Sequence, residues 1–305
     1  MKTRAVVLVA MTLTLTSLTA IGQNGACQTS SQEALKSCRA GAQSAYLLAL
    51  GQCENLSDPA ARKACQQQAQ SDRKDALSSC DAQFASRQNI CGRLGGQPWD
   101  PKIDPANFVT TIDNPYMPLK PGTTLVYATF IDDGLEEEAF VITHNTKVIL
   151  GVTCVEVHDT VTLNGQVTED TLDWFAQDKQ GNVWYFGEDS DEVTNGRVSS
   201  LHGSWTAGVS GAKPGIVMEA TSAVGDFYRQ EFLLGTAEDV AAVLNLDKTV
   251  KVPAGTFKHC LETGETSGLE PDTKELKYYA PGVGLVLTND ISGNEKLPLV
   301  EIISE

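Results

Sequence analysis

The rhythm of apolar positions along this chain changes twice. Ala5 to Ala20 is a continuous apolar, threonine-bearing run behind Lys2 and Arg4. It predicts a secretory signal, with a basic start, an apolar centre and a small-x-small site at Ala20-Ile21-Gly22 that would leave Gln23 as the new N-terminus. The run is short for a membrane span, and no later stretch approaches that length. Residues 28–92 are rich in Ala, Leu, Gln, Lys and Arg, with few large apolar side chains, a composition that favours helix. From about residue 105, β-branched and aromatic residues alternate with polar ones between turn residues, the pattern of antiparallel strands. The expected organisation is a signal peptide over 1–22, a helical hairpin over 23–93, a Gly/Pro-rich linker over 94–104 and a β domain over 105–305.

Within the helical part, Ser30 and Glu33 form a capping-box signature at the start. Leu56-Ser57-Asp58-Pro59 interrupts, with Asp58 suited to an N-cap and Pro59 to the first helical position. Gly92 is the expected stop. Strands are expected at Thr123–Ile131 and Leu135–His144 around Asp132-Asp133-Gly134, then at Val152–Leu163 and Gln166–Asp178 around Asn164-Gly165, a strong hairpin signal. Further strands are expected at Val183–Gly187, Asp226–Gly235, Val240–Val252, Phe257–Thr266, Lys274–Tyr279, Val283–Thr288 and Leu297–Ile303, with a short helix over Ala237–Leu246 as an alternative. A long antiparallel meander of this kind curves or closes to limit its edges. The expected fold class is therefore α+β: an antiparallel α-hairpin followed by a curved antiparallel sheet, a half-barrel or barrel.

Cysteine spacing sharpens the first part. Cys27, Cys38, Cys53, Cys65, Cys80 and Cys91 are separated by 11, 15, 12, 15 and 11 residues, a palindrome centred on Pro59. At about 100° per residue these steps keep the three cysteines of each arm on one stripe. In an antiparallel hairpin, residues of constant index sum lie level, so the spacing predicts Cys53–Cys65, Cys38–Cys80 and Cys27–Cys91. Six cysteines allow 15 pairings in principle. Each rung would contribute roughly 2–4 kcal/mol to an element too small to bury a large core. A lipid anchor at Cys27 is the alternative, but Asn24 stands where an aliphatic residue is wanted, and Cys27 is needed for the outer rung. The remaining pair, Cys154 and Cys260, both fall mid-strand, and a Cys154–Cys260 bond is expected between distant strands. Disulfides and a signal peptide point to a secreted or periplasmic protein.

Charge divides as the rhythm does. Residues 23–95 carry eight Lys/Arg and six Asp/Glu, whereas residues 96–305 carry 13 and 33. So acidic a body argues against nucleic acid or an anionic membrane as partner; nothing in the sequence names a protein partner.

The chemistry is less sharply marked. The four histidines, His144, His158, His202 and His259, form no metal motif, and no nucleotide loop or G-x-S-x-G is present. Ser210-Gly211-Ala212-Lys213 matches S-x-x-K without its companion motifs. The densest polar-aromatic stretch runs from Glu169 to Glu192, with Glu188–Glu192 expected as an acidic loop. Within it, Asp173, Trp174, Trp184, Tyr185 and Glu188 are the candidate binding residues. Carboxylates beside aromatics suit sugars, cationic ligands or Ca²⁺; apart from Ca²⁺ as an option, no cofactor is expected. A pair such as Asp173 and Glu188 would also suit general acid and base roles in a hydrolase or lyase.

Four strings carry a resemblance: Asp113-Asn114-Pro115-Tyr116-Met117-Pro118-Leu119; Asp173–Asp178 with Gly181–Tyr185; Val252–Phe257; and Tyr278–Gly284. Together they resemble a widespread family of uncharacterised exported bacterial proteins over residues 105–303, a family that brings no activity with it. The last two are also similar to segments of periplasmic half-barrels of the lipoprotein-carrier type, which wrap a curved sheet around an acyl chain. That resemblance implies a binding or carrier module for a small apolar or amphipathic ligand on the concave sheet. A hydrolase or lyase working through paired carboxylates, and a surface structural or adhesion protein, are the other two classes the sequence admits.

Overall fold

The computed structural model describes residues 25–305. The expected signal peptide, residues 1–22, lies outside the described residues. Two long helices lead: α1, Ala26–Glu54, and α2, Pro59–Leu94. Asp58 caps α2 as its sequence suggests, its carboxylate accepting from the backbone N–H groups of Ala60 (3.1 Å) and Ala61 (3.4 Å), with Pro59 in the first turn. The three expected rungs are formed, with Cα–Cα distances of 5.6, 5.7 and 5.6 Å for Cys27–Cys91, Cys38–Cys80 and Cys53–Cys65.

Both outer helix ends differ from expectation. Helix α1 starts ahead of Ser30, whose hydroxyl donates back to the Ala26 carbonyl at 2.9 Å instead of capping. The Cys27 N–H is satisfied by the Gly96 carbonyl (3.2 Å), so the end of α2 supplies what a capping side chain would. Helix α2 runs through Gly92 and stops at Gly95, whose φ of 89° turns the chain so that the N–H groups of Gly95 and Gly96 both reach the Cys91 carbonyl.

After a 3₁₀ turn at Pro105–Asn107, the strands are β1 (Phe108–Val109), β2 (Ile112–Asn114), β3 (Met117–Leu119), β4 (Thr123–Ile131), β5 (Gly134–Ile149), β6 (Val152–Leu163), β7 (Gln166–Asp178) and β8 (Val183–Thr194). Then come β9 (Arg197–Ser200), β10 (Trp205–Thr206), β11 (Lys213–Met218), β12 (Phe227–Arg229) and β13 (Glu231–Phe232). The last five are β14 (Asp239–Val252), β15 (Gly255–Ser267), β16 (Glu275–Ala280), β17 (Gly284–Asp290) and β18 (Glu295–Ser304). The alternative helix at Ala237–Leu246 is thus mainly strand, the expected Asp226–Gly235 strand is two short ones, and the expected acidic loop at Glu188–Glu192 continues β8. That segment pairs in register with Glu169–Asp173, and pairing both sides of the polypeptide backbone outweighs charge repulsion along it.

All pairings are antiparallel, in the order β12-β14-β15-β16-β17-β18-β4-β5-β6-β7-β8-β11-β13. The two ends of this path are neighbouring pieces of one segment: Phe227–Arg229 pairs with β14, and Glu231–Phe232 with β11. The sheet is therefore a nearly closed barrel, seamed by residues 227–232. Gly215 makes the seam possible, since a Cβ there would lie 2.4 Å from the Gln230 carbonyl.

The expected Cys154–Cys260 disulfide is not formed; both are free, buried thiols. Cys154 packs with Ile149, Trp174 and Phe186, and Cys260 with Leu125, Val286 and Leu299, in separate apolar clusters. Five strands intervene between β6 and β15 along the wall, whereas a disulfide needs Cα atoms within about 7 Å.

Candidate functional site

The barrel encloses a cavity of about 390 Å³, and its lining follows from strand alternation. Inward positions change from apolar to acidic along each strand. In β5 the step is Phe140 to Glu138, in β7 Phe175 to Asp173, in β14 Ala241 to Asp239, and in β16 Tyr279 through Lys277 to Glu275; in each the acid is N-terminal to its apolar neighbour. In β6 the step is Val157 to Asp159, and in β15 Leu261 through Thr263 to Glu265; there the acid is C-terminal. Strands β5, β7, β14 and β16 run one way and β6 and β15 the other. Every carboxylate is therefore displaced toward the same end, and the barrel interior is polarised along its axis.

The apolar end is closed by the β2–β3 hairpin, which carries part of the resemblance string Asp113–Leu119. Ile112 and Leu119 join Ile142, Val157, Phe175, Leu261 and Tyr279 in one apolar cluster, with Tyr116 and Met117 against it. Gln177 fixes this plug, its Oε1 accepting from the N–H groups of Asp113 and Asn114 (both 2.9 Å) and its Nε2 donating to Asp113 Oδ1 (2.7 Å).

The acidic end opens beneath the helical hairpin into a vestibule of about 920 Å³. Glu231, Asp239, Glu265 and Glu275 line both spaces and mark where they meet. Helix α2 reaches this rim through Arg87, which is paired with Glu238, and through Ser86 Oγ, which donates to the Ser267 carbonyl at 3.0 Å.

Of the residues expected at a binding site, the structure brings Asp173, Tyr185 and Glu188 together. Asp173 and Glu188 lie opposite each other across β7 and β8, and Tyr185 donates a hydrogen bond to Asp173 Oδ1. Positions 185 and 188 would face opposite sides of a regular strand. The register shift opposite Trp174/Phe175 reverses the phase, and Gly187 sits in it with φ 143°, where a Cβ would lie 2.4 Å from the Trp205 carbonyl. Asp173 and Tyr185 line the cavity. Trp174 and Trp184 do not: their indole N–H groups go to Glu156 (3.4 Å) and Asp178 (2.9 Å), and Lys147 lies 3.2 Å above the Trp174 ring.

Burial governs the titration of this interior. It pushes Asp173 up to about 7, with Glu169 adding repulsion and the Tyr185 hydrogen bond opposing. It pushes Glu138 up to about 7 and Glu188 to about 8, in both cases with help from Asp173. Asp159 and Glu231 are driven well above the usual carboxylate range, by burial and then by Glu138 and Asp239 respectively. Glu265 is the exception: burial is outweighed by Lys277 and by hydrogen bonds from Lys277, Thr263 and Gln230, which hold it low.

Sequence reasoning missed Glu138, Asp159, Glu231, Asp239, Glu265, Glu275 and Lys277. The available signal was a charge breaking the apolar phase of a strand, as Asp159 does after Val155 and Val157. The histidines do not converge. His158 bonds Asp170, His259 Nδ1 lies 2.7 Å from Asp247, and His144 Nε2 lies 3.1 Å from Glu305. Among the described residues, no group of three or more His, Cys, Asp or Glu side chains is arranged to hold a metal ion, and no helix is long and apolar enough to cross a membrane.

No family model matches the chain, and no curated protein matches it, so the resemblance to a widespread exported family has no matching model behind it. Among solved structures, the chain is similar to a candidate lipoprotein from Parabacteroides distasonis ATCC 8503. The two are 15% identical, the match covers 61% of this chain and 97% of that one, and the TM-score is 0.29. That likeness carries no argument about fold or function.

Proposed function

We propose that this chain is a binding or carrier module that works outside the cytoplasm, secreted or periplasmic, and holds a small apolar or amphipathic ligand inside its barrel. The cavity itself carries the reading. Its volume lies in the range of small-molecule sites, and Phe140, Phe175, Tyr279, Val217 and Leu285 line it on the apolar side while the opposite end is polar and opens to the vestibule. A barrel serving only as a scaffold would fill that space with side chains. The three disulfides fit an oxidising compartment.

The hydrolase reading has less support. A pair of the glycosidase kind needs one protonated and one ionised carboxylate, whereas burial raises both Asp173 and Glu188. The test of the carrier reading is mass spectrometry of the natively purified protein, paired with titration of an environment-sensitive alkyl probe. A retained organic molecule, or saturable probe uptake abolished by Val217→Trp, is expected. A protein that emerges empty and takes up no probe would refute the reading.

A further inference from the structure

We propose that the ligand is a cationic amphiphile, with its alkyl or aryl part on the apolar floor and a protonated amine among the carboxylates of the acidic end. This rests on the carrier reading and adds the charge of the ligand to it.

Seven carboxylates line the cavity, those of Glu138, Asp159, Asp173, Glu231, Asp239, Glu265 and Glu275, against one ammonium, that of Lys277. Lys277 is already engaged, 3.0 Å from Glu265 and 3.3 Å from Glu275. It is thus a poor counter-ion for an incoming anion, and it leaves the other five acids without a cationic partner inside the cavity. One of them lacks any partner: Asp159 Oδ1 is shut off from solvent and has no hydrogen bond. A buried acceptor left unmade costs about 1–3 kcal/mol, and more if it is charged. Such an oxygen is retained at a cost unless something else fills its bonding capacity. Asp159 lies opposite Phe140 across β5 and β6, at the junction of the apolar and acidic zones. An amine joined to an apolar body seated on Phe140 and Phe175 would meet it there. Burial holds a proton on Asp159; an incoming ammonium favours release of that proton and so gains a charge-assisted hydrogen bond. A fatty acid in the same pose would add a further acid to an already crowded acidic end, and a neutral alcohol would bring a weaker donor.

Three probes of equal chain length separate these cases: decylamine, decanol and decanoate, titrated by calorimetry into the full-length natively purified protein at neutral pH, below their micellar concentrations. Decylamine is expected to bind with a stoichiometry of one, to be displaced by decanol, and to bind about tenfold tighter than decanol, in keeping with one charge-assisted hydrogen bond, with decanoate weakest. Asp159→Asn should remove most of the amine's advantage and leave decanol affinity unchanged; Glu138→Gln serves the same purpose if Asp159→Asn fails to fold. Equal binding of amine and alcohol, tightest binding by decanoate, or amine binding that decanol does not displace would overturn the charge assignment and leave the carrier reading standing. Failure of all three probes to bind would remove both.

Discussion

Arg87 of the helical hairpin and Glu238 of the barrel meet in a two-pronged ion pair shut away from water. Nε lies 2.7 Å from Oε2 and Nη2 lies 2.9 Å from Oε1, with the residues 5% and 2% exposed. Glu238 also accepts the Gly235 N–H at 2.7 Å. Breaking such a pair from one side leaves a buried charge unmatched. Arg87→Ala is therefore expected to cost about 3–5 kcal/mol in chemical denaturation and to raise amide exchange near Ser267. A change below about 1 kcal/mol would show that the hairpin is not anchored here.

Mapping of unreduced peptides should return Cys27–Cys91, Cys38–Cys80 and Cys53–Cys65; a Cys27–Cys38 peptide would rule out the hairpin. Because the rungs are nested, removing any one frees only the chain between its neighbours, at a cost of roughly 3 kcal/mol each.

The thiols give an independent check on the barrel. Cys154 and Cys260 are completely buried, and burial pushes the Cys154 thiol up to about 12. Alkylation of the native protein should leave both unmodified, and alkylation after unfolding without reductant should modify both. Modification of neither after unfolding would mean that they are bonded after all.

Thermal stability should fall as pH rises from about 4 to about 8, the interval between the usual carboxylate range and the raised folded values. Asp173, Glu138 and Glu188 have folded pKa values of about 7, 7 and 8, and Asp159 and Glu231 are raised further. In that window the folded state holds protons that the unfolded chain has released, so stability is greatest at the acidic end and declines through the folded pKa values. Glu265, held low by Lys277, works in the opposite sense but is outnumbered by the raised acids, to which Asp239, at about 6, also belongs. Glu138→Gln should flatten the profile; a melting temperature that climbs steadily over this interval would contradict the buried acidic interior.

Gly187→Ala tests the phase reversal in β8. The new methyl group would meet the Trp205 carbonyl, and the φ of 143° is unfavourable for alanine. A loss of roughly 1–3 kcal/mol is expected. The intrinsic tyrosine absorption should change as well, because Tyr185 loses its bond to Asp173. A variant as stable as the parent would mean that the register shift does not depend on glycine.

What the sequence makes legible is what local chemistry decides. Asn164-Gly165 predicts its hairpin because both residues take positive φ, 51° and 74°, and β6 and β7 end where the turn residues begin. The cysteine ladder is legible because helical geometry converts spacing into height. The interior is not. Phe175 and Trp174 are equally good core residues, and only the closed sheet decides that Phe175 faces the cavity while Trp174 does not. Tyr185 and Glu188 share a face through one register shift, which pairing reveals and composition hides, although a glycine inside a strand pattern is a hint. Glu231 and Asp239 reach the rim because the seam brings residues 227–232 between β11 and β14, a relation between distant parts of the chain.

The three covalent rungs have a mechanical consequence. They bind α1 and α2 into one rod about 50 Å long, and the contacts with the barrel described above all come from its open end, near Ser86 and Arg87. The far tip, with Leu47 and Leu48 exposed, stands clear of those contacts. The hairpin is thus a lever pivoted at the rim of the acidic opening. A tilt of about 5° at the pivot would move the tip by about 4 Å over that length, with Arg87 and Glu238 at the foot of the rod.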